Sequence, residues 1–475
     1  MQYFSSRGGD CVSGPQAILA GLAPDGGLYL PKTIPAFDWQ QAVGCSTMEI
    51  VTMILSAFLP ELPQMEQLVS DAYSQKFETA QLTPTVKVGD FHVLELFRGP
   101  TSAFKDVALC MLPRLMMASR AVCGETEDVL ILTATSGDTG KAALEGFKDV
   151  PGINICVFYP HGGVSDVQRR QMVSQEGSNV RVCAVRGNFD DCQTGVKEIF
   201  ATNTGKNISS ANSINIGRLL PQITYYFAAY RDLLENGTIQ LGDEVNFSVP
   251  TGNFGDILAG YLAKKLGLPV GKLICASNAN NVLTDFIQTG TYDRRRPLHK
   301  TISPSMDILV SSNLERLLYL MSEDTVLVKD LMSQLNKNGH YTVQAALLEK
   351  IQEQFWAGCC DDHQASDTIS AVWQKNHYLC DPHTAAGWKS AEDYVNLSGD
   401  HRPLVVLSTA SPYKFPAAVL SAIGGDTQGD EFDQMEQLQT LTGVCIPKNL
   451  AGLRSKPERH LDVIVKDDMM DYIRR

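Results

Sequence analysis

The residue with the most pointed chemistry is Lys105, within Arg98-Gly-Pro-Thr-Ser-Ala-Phe-Lys-Asp106. Phe91 to Phe97 (FHVLELF) reads as a buried strand, and Val107 to Met117 is apolar and long enough for a helix. Lys105 therefore falls where a strand gives way to a helix, near the helix's first turn. A cation there faces the positive end of the helix dipole, which costs free energy. A free lysine amine has a pKa of about 10.4, and the cost falls when the amine is neutral or tied up as an imine. A lysine in an apolar turn thus suits nucleophilic chemistry on carbonyl compounds.

Three further turns, at 136–140, 251–255 and 408–412, carry glycine, serine or threonine between a strand and a helix. In open parallel sheets ligands bind beyond the carboxyl ends of strands, and a helix N-terminus offers free N–H groups to phosphate or carboxylate. Thr251-Gly-Asn-Phe-Gly255 reads either as a phosphate cup or as a plain tight turn. Ser136-Gly-Asp-Thr-Gly140 offers hydroxyls to a carboxylate, and Asp138 there is either a site residue or an ordinary first-turn acid. The run is not a Walker loop, because Thr135 stands where glycine is needed and Ala142 where serine or threonine is needed. Ser102-Ala-Phe-Lys105 fits S-x-x-K, but the chain has neither S-D-N nor K-T-G. Arg7 is an anion ligand or an exposed arginine.

The elements that must position these residues alternate along the chain. Strands are expected at 128–135, 153–159, 180–185, 245–249, 273–276 and 404–407, with helices at 141–147, 165–175, 190–201, 213–235 and 256–266 and from about 416. Ser165 and Gln168 form a capping box at one helix start. Continuous apolar strands alternating with helices imply a mostly parallel sheet covered on both faces. Residues 1–85 form an opening unit, with helices at 47–58 and 63–79 and a turn at Pro24-Asp-Gly-Gly27. Residues 315–375 read as helical, and 461–465 as a strand of unassigned role.

The chain has 475 residues, 44% apolar and 20% charged, with a formal net charge of −13. That balance argues against nucleic acid and anionic membrane surfaces as partners. No apolar run approaches the roughly 18 residues of a membrane span. MQYFSSRGGD lacks a basic start followed by an apolar stretch, so a cytoplasmic location is expected. The twelve cysteines include no C-x-x-C pair, and Cys359-Cys-Asp-Asp-His363 is too compact to surround one ion. No metal is expected.

Taken in order, the motifs resemble the threonine synthase family in its longer bacterial and fungal form, and more broadly the fold-type II pyridoxal-phosphate (PLP) enzymes. The resemblance rests on Ser5-Ser-Arg-Gly8, Ala23-Pro-Asp-Gly-Gly27, Gly99-Pro-Thr-Ser-Ala-Phe-Lys-Asp106, Thr135-Ser-Gly-Asp-Thr-Gly140, Ala211-Asn-Ser-Ile-Asn215 with Arg218, and Val249-Pro-Thr-Gly-Asn-Phe-Gly-Asp256. Arg98 and Ile216 depart from it, standing where the family often has histidine and tryptophan.

The resemblance implies an α/β fold with two open, mostly parallel α/β sheet domains plus an N-terminal α-rich extension. It divides the chain into 1–85, 86–240 with the PLP lysine and substrate turn, and 241–475 with the phosphate loop, a helical insertion and a C-terminal segment. It implies PLP held by Lys105 as an imine, its phosphate in Gly252, Asn253, Phe254 and Gly255, its hydroxyl near Asp138 and its ring nitrogen at Thr409. Thr101, Ser136, Thr139, Asn215 and Arg218 would bind substrate, with Arg114, Arg218 and Lys414 as candidate cations for a departing phosphate. The implied reaction converts O-phospho-L-homoserine and water to L-threonine and phosphate. A phospho-lyase releasing a 2-keto acid, another fold-type II enzyme such as a dehydratase, and an inactive PLP-binding protein remain alternatives. The implied partner is a small phosphorylated amino acid, with the protein a monomer or homodimer.

Overall fold

Six strands form the larger sheet, in the order Phe355–Cys359, Val270–Ser277, Val245–Pro250, Leu404–Ser408, Phe91–Glu95 and Thr85–Val88. All neighbours are parallel except the last pair. A five-stranded, wholly parallel sheet runs Val463–Val465, Val180–Arg186, Ile153–Pro160, Val129–Ala134, Asn207–Ser210. The central strands are buried along their whole length, as near-continuous apolar runs covered by helices on both faces must be. The computed structural model describes residues 1–135, 137–202 and 207–474. No helix among them is long and apolar enough to cross a membrane.

The expected fold class is therefore the observed one. The opening unit packs its helices beside a small antiparallel sheet of Gln2–Ser5, Gly8–Ser13 and Tyr29–Pro31. Sheet membership follows space rather than chain order: residues 86–240 and 241–475 each give strands to both sheets.

Three sequence expectations differ locally. The run 315–375 is helical except for His340–Thr342 and Phe355–Cys359, and the latter is the edge strand of the larger sheet. Five residues between two helices carry too short a pattern to declare a strand; its partner Val270–Ser277 supplies the missing half. The expected helix 213–235 is broken by a 3₁₀ turn at Leu220–Gln222, where Pro221 removes a donor. Helix 63–79 is shorter, Met65–Tyr73.

Lys105–Cys123 is the helix that carries the lysine, and Asp138–Phe147 lies directly against it. They approach so closely that a Cβ on Gly146 would stand 2.0 Å from the carbonyl oxygen of Leu109. The obstacle is backbone, which cannot swing aside. Gly146→Ala should therefore lower stability by about 1–3 kcal/mol through overpacking. Urea unfolding checks it; an unchanged midpoint would mean the two helices separate freely.

Candidate functional site

Strands Val245–Pro250, Leu404–Ser408 and Phe91–Glu95 are sheet neighbours and run parallel, so their carboxyl ends open onto the same edge. The turn after Phe91–Glu95 is stitched to the turn after Leu404–Ser408. Leu96 N–H donates to Ser408 O at 3.0 Å, Phe104 N–H to Thr409 O at 2.8 Å, and Ser411 N–H to Ser102 O at 3.1 Å. Lys105 follows as the first residue of its helix.

The lysine turn is held by groups that look like substrate ligands in sequence alone. Thr101 donates its N–H to Asp106 Oδ2 at 2.8 Å and its hydroxyl to Asp106 Oδ1 at 2.5 Å. The Thr101 side chain thus closes the turn on the helix's own first-turn acid. Burial pushes Asp106 up to about 6, against the pull of the Thr101 hydrogen bonds. Ser102 adopts φ +59°, rare without glycine. Asn449, from the C-terminal segment, grips this turn. Its Oδ1 accepts from Ser102 Oγ at 2.9 Å, and its Nδ2 donates to Pro100 O at 2.7 Å and Gly99 O at 3.3 Å.

At the site's centre Asp138 is 4% exposed and surrounded by cations and donors. Lys414 Nζ lies 2.6 Å from Oδ1 and Lys105 Nζ 3.8 Å from Oδ2. Gln168 Nε2 donates to Oδ1 at 2.9 Å. Burial alone would raise this carboxyl, but Lys414 and Lys105 outweigh it and hold Asp138 well below the usual carboxylate range. Ser165 does cap its helix, accepting from Gln168 N–H at 3.2 Å, but the Gln168 side chain turns to Asp138 instead of completing the expected capping box.

Lys105 itself is depressed to about 8, first by burial and then by Lys414 and Arg218, with Asp138 pulling the other way. Such a lysine deprotonates near neutral pH, as a nucleophile or base requires. Its Nζ also donates to Ser305 Oγ at 3.3 Å. Ser305 comes from the 3₁₀ turn Pro304–Met306, a segment with no sequence signal.

The 251–255 turn faces the same place. Phe254 is buried with φ +62°, and Gly255 begins the following helix. A Cβ on Gly252 would stand 2.7 Å from Ser305 O, so only glycine lets the two segments meet. Asn313 fastens the turn, donating N–H and Nδ2 to Asn253 O, each at 3.0 Å, while its Oδ1 accepts from Arg316 at 2.5 Å. The next acid, Asp256, accepts from the Tyr225 and Tyr226 hydroxyls. Burial nonetheless lifts it to about 7, so near neutral pH it carries only part of a negative charge beside the helix N-terminus.

Arg218 is 3% exposed and has no carboxylate partner among the described residues. Its Nη1 donates to Ala211 O at 2.5 Å and its Nε has no partner there. Burial lowers it to about 10. Asn215 caps the short helix bearing Arg218 and is fully engaged, accepting from Gly217 N–H and donating to Ile18 O and Ser210 O. Thr139 is partly exposed in the same first turn as Asp138. Ser136 lies outside the described residues.

The structure thus brings together Lys105, Asp138, Lys414, Thr409 and the Gly252 turn, while Thr101 and Asn215 shape their own turns. Arg114 stands further along the lysine helix with Nε unpartnered. Arg7 is taken by Glu315, with contacts of 2.8 and 2.7 Å. Arg98 is occupied by Glu95 and Glu78, and Ile216 is fully buried in the core.

A PLP group fits the residues present. The glycine turn at a helix N-terminus suits its phosphate, Lys105 is primed for its carbonyl, and the Thr409 hydroxyl has no protein partner among the described residues.

Comparison with known proteins agrees. A family described as "Pyridoxal-phosphate dependent enzyme" matches residues 77–333, with "Threonine synthase N terminus" at 2–73 and "Threonine synthase, C-terminal" at 384–469. The chain is 40% identical to threonine synthase-like 1 of Pongo abelii over 86% of its length, spanning only 58% of that relative. It is 38% identical to threonine synthase of Pseudomonas aeruginosa, over 97% of this chain and 98% of that one. The crystal structure of PLP-bound threonine synthase from Brucella melitensis superposes with a TM-score of 0.89 at 39% identity, covering 100% of this chain and 99% of that one.

After burial, the Lys414 charge contributes most to lowering the Lys105 amine pKa. Lys414→Met should raise the Lys105 pKa above about 8, since a repelling cation is lost and Asp138 is left to Lys105 alone. The pH dependence of amine-reagent labelling at Lys105, read by peptide mass spectrometry on cofactor-free protein, checks this. An unchanged or lowered value would contradict it.

Proposed function

The chain belongs to the threonine synthase family of pyridoxal-phosphate-dependent enzymes, and we propose that it converts O-phospho-L-homoserine and water to L-threonine and phosphate. The observation that carries the reading is Arg218. A guanidinium buried without a counter-charge is costly, and such charges are normally paired. Here the missing partner is an anion, in a site where Lys105 and Lys414 already add positive charge around one carboxylate. A phosphorylated amino acid supplies both a phosphate and a carboxylate.

The residues divide the work as follows. Gly252, Asn253, Phe254 and Gly255 would cradle the cofactor phosphate, Asp138 would stand near its hydroxyl, and the Thr409 hydroxyl would meet its ring nitrogen. When bound, PLP supplies the electron sink that makes protons next to the amino carbon removable. Thr139 and Ser136 would hold the substrate carboxylate, and Arg218 its phosphate. Lys105 would take the proton from Cα and serve the Cβ position, as a base tethered there. Phosphate leaves Cγ, Cβ gives up a proton and Cγ gains one, the hydroxyl from water ends on Cβ with its remaining proton going to the released phosphate, and a proton returns to Cα. Lys414 would keep Asp138 ionised and Lys105 easily deprotonated throughout. We place the reaction in the cytoplasm.

Incubating the protein with PLP and O-phosphohomoserine should yield phosphate and threonine in equal amounts. Phosphate without threonine would identify a phospho-lyase, and neither product would overturn the substrate. Lys105→Ala should lower kcat by at least about a thousandfold with an unchanged far-UV circular dichroism spectrum. Arg218→Met should lower kcat/KM for the phosphorylated substrate by about 10- to 100-fold while the thermal midpoint stays level or rises. A clear loss of stability would instead make Arg218 a structural residue.

A further inference from the structure

Beyond the residues proposed to bind ligand, a further hydrogen-bonded chain leads away from the lysine. It begins at Asp381, which is 0% exposed and caps the helix Pro382–Ser398. Asp381 Oδ2 accepts from His383 N–H at 3.0 Å and lies 2.6 Å from His383 Nδ1. Oδ1 accepts from Thr384 N–H at 3.1 Å and from the Thr384 hydroxyl. A carboxylate at Nδ1 puts the imidazole proton on that nitrogen, and the lone pair is left on Nε2. Nε2 accepts from the backbone N–H of Ser305 at 3.1 Å. That assignment follows from the hydrogen-bond network.

Ser305 is where the chain meets the chemistry. Its hydroxyl accepts from Lys105 Nζ at 3.3 Å, and its carbonyl presses on Gly252. One residue therefore touches both the reactive amine and the glycine turn, and its own amide is fixed by a histidine nearly eighty residues away in sequence. Two residues on, Asp307 anchors the same loop. Its Oδ1 accepts from Asn278 at 2.8 Å, Asn280 at 3.0 Å and the Thr301 hydroxyl at 2.7 Å. The His383 ring also packs on Phe415, with centroids 5.0 Å apart, next to the Lys414 that pairs with Asp138. His383 is 2% exposed, so solvent cannot replace its bond to Ser305.

We infer that His383, oriented by Asp381, is a positioning residue: it fixes the Ser305 loop so that the Ser305 hydroxyl aims the Lys105 amine while the Ser305 carbonyl seats against Gly252. The role concerns the loop and the lysine; only its turnover readout rests on the proposed reaction.

Two amide substitutions separate the roles of the ring nitrogens. His383→Asn puts a donor near the Nδ1 position and keeps Asp381 satisfied, but cannot reach Ser305. His383→Gln places an acceptor near the Nε2 position. Full-length, PLP-loaded protein is followed by hydrogen–deuterium exchange of the peptide containing Ser305, and by steady-state kinetics with O-phosphohomoserine. His383→Asn should speed exchange there by about tenfold and lower kcat by about 10- to 100-fold with KM little changed. His383→Gln should recover both to within about threefold of wild type. Ser305→Ala should reproduce the kcat loss with exchange unaltered. Equal exchange in His383→Asn and wild type, or a His383→Gln as impaired as His383→Asn, would overturn the inference. Exchange needs no substrate, so an inactive wild type would count against the reaction alone.

Discussion

A single buried carboxylate organises the site. Asp138 is ionised in a place where an isolated charge would be prohibitive, and it remains so because Lys414 and Lys105 meet it on either oxygen. The arrangement works in both directions. Asp138 permits two lysines to be buried within one small space, and the lysines, sharing one counter-charge between them, keep the Lys105 amine easy to deprotonate. The residues that hold each partner belong to different strands: Asp138 follows Val129–Ala134, Lys105 follows Phe91–Glu95 and Lys414 follows Leu404–Ser408. The ion cluster is thus where the two sheets agree on their relative position.

Two first-turn aspartates show how the surroundings set chemistry. Asp138 and Asp256 both open a helix at the carboxyl end of a strand. Asp138 sees cations and stays charged; Asp256 sees two tyrosine hydroxyls and is lifted to about 7. The same residue type provides a fixed anion at one turn and a carboxyl only partly ionised near neutral pH at the other, beside the turn suited to phosphate.

Much of this was legible in the chain because turn chemistry is local. Lys105 between an apolar strand and an apolar helix, and the Gly252 and Gly255 turn, announce themselves within ten residues. The alternation of strands and helices gave the fold class for the same reason. What could not be read depends on partners distant in sequence. Lys414 looks like any cation until Asp138 is placed beside it. Gln168 carries a perfect capping signal and answers a stronger one from Asp138 instead. Thr101 and Asn215 are the right types to bind ligand, yet their side chains close turns. Ser305, Asn313 and Asn449 have no motif, and the strand Phe355–Cys359 is too short to stand out without Val270–Ser277 next to it.

The pairing of Val463–Val465 with Val180–Arg186, together with the Asn449 grip on residues 99–102, bears on synthesis of the chain. Contacts of such long sequence separation form late, because a large loop must close before they are rewarded. On the ribosome, residues 1–420 already contain the reactive lysine, both glycine turns and every strand of the larger sheet. The Val180–Arg186 strand is still unpaired on its outer side then, and the left-handed Ser102 turn still lacks its clasp. Translation of residues 421–475 is therefore the step that covers the Val180–Arg186 edge with a short, three-residue strand and locks the nucleophile's turn.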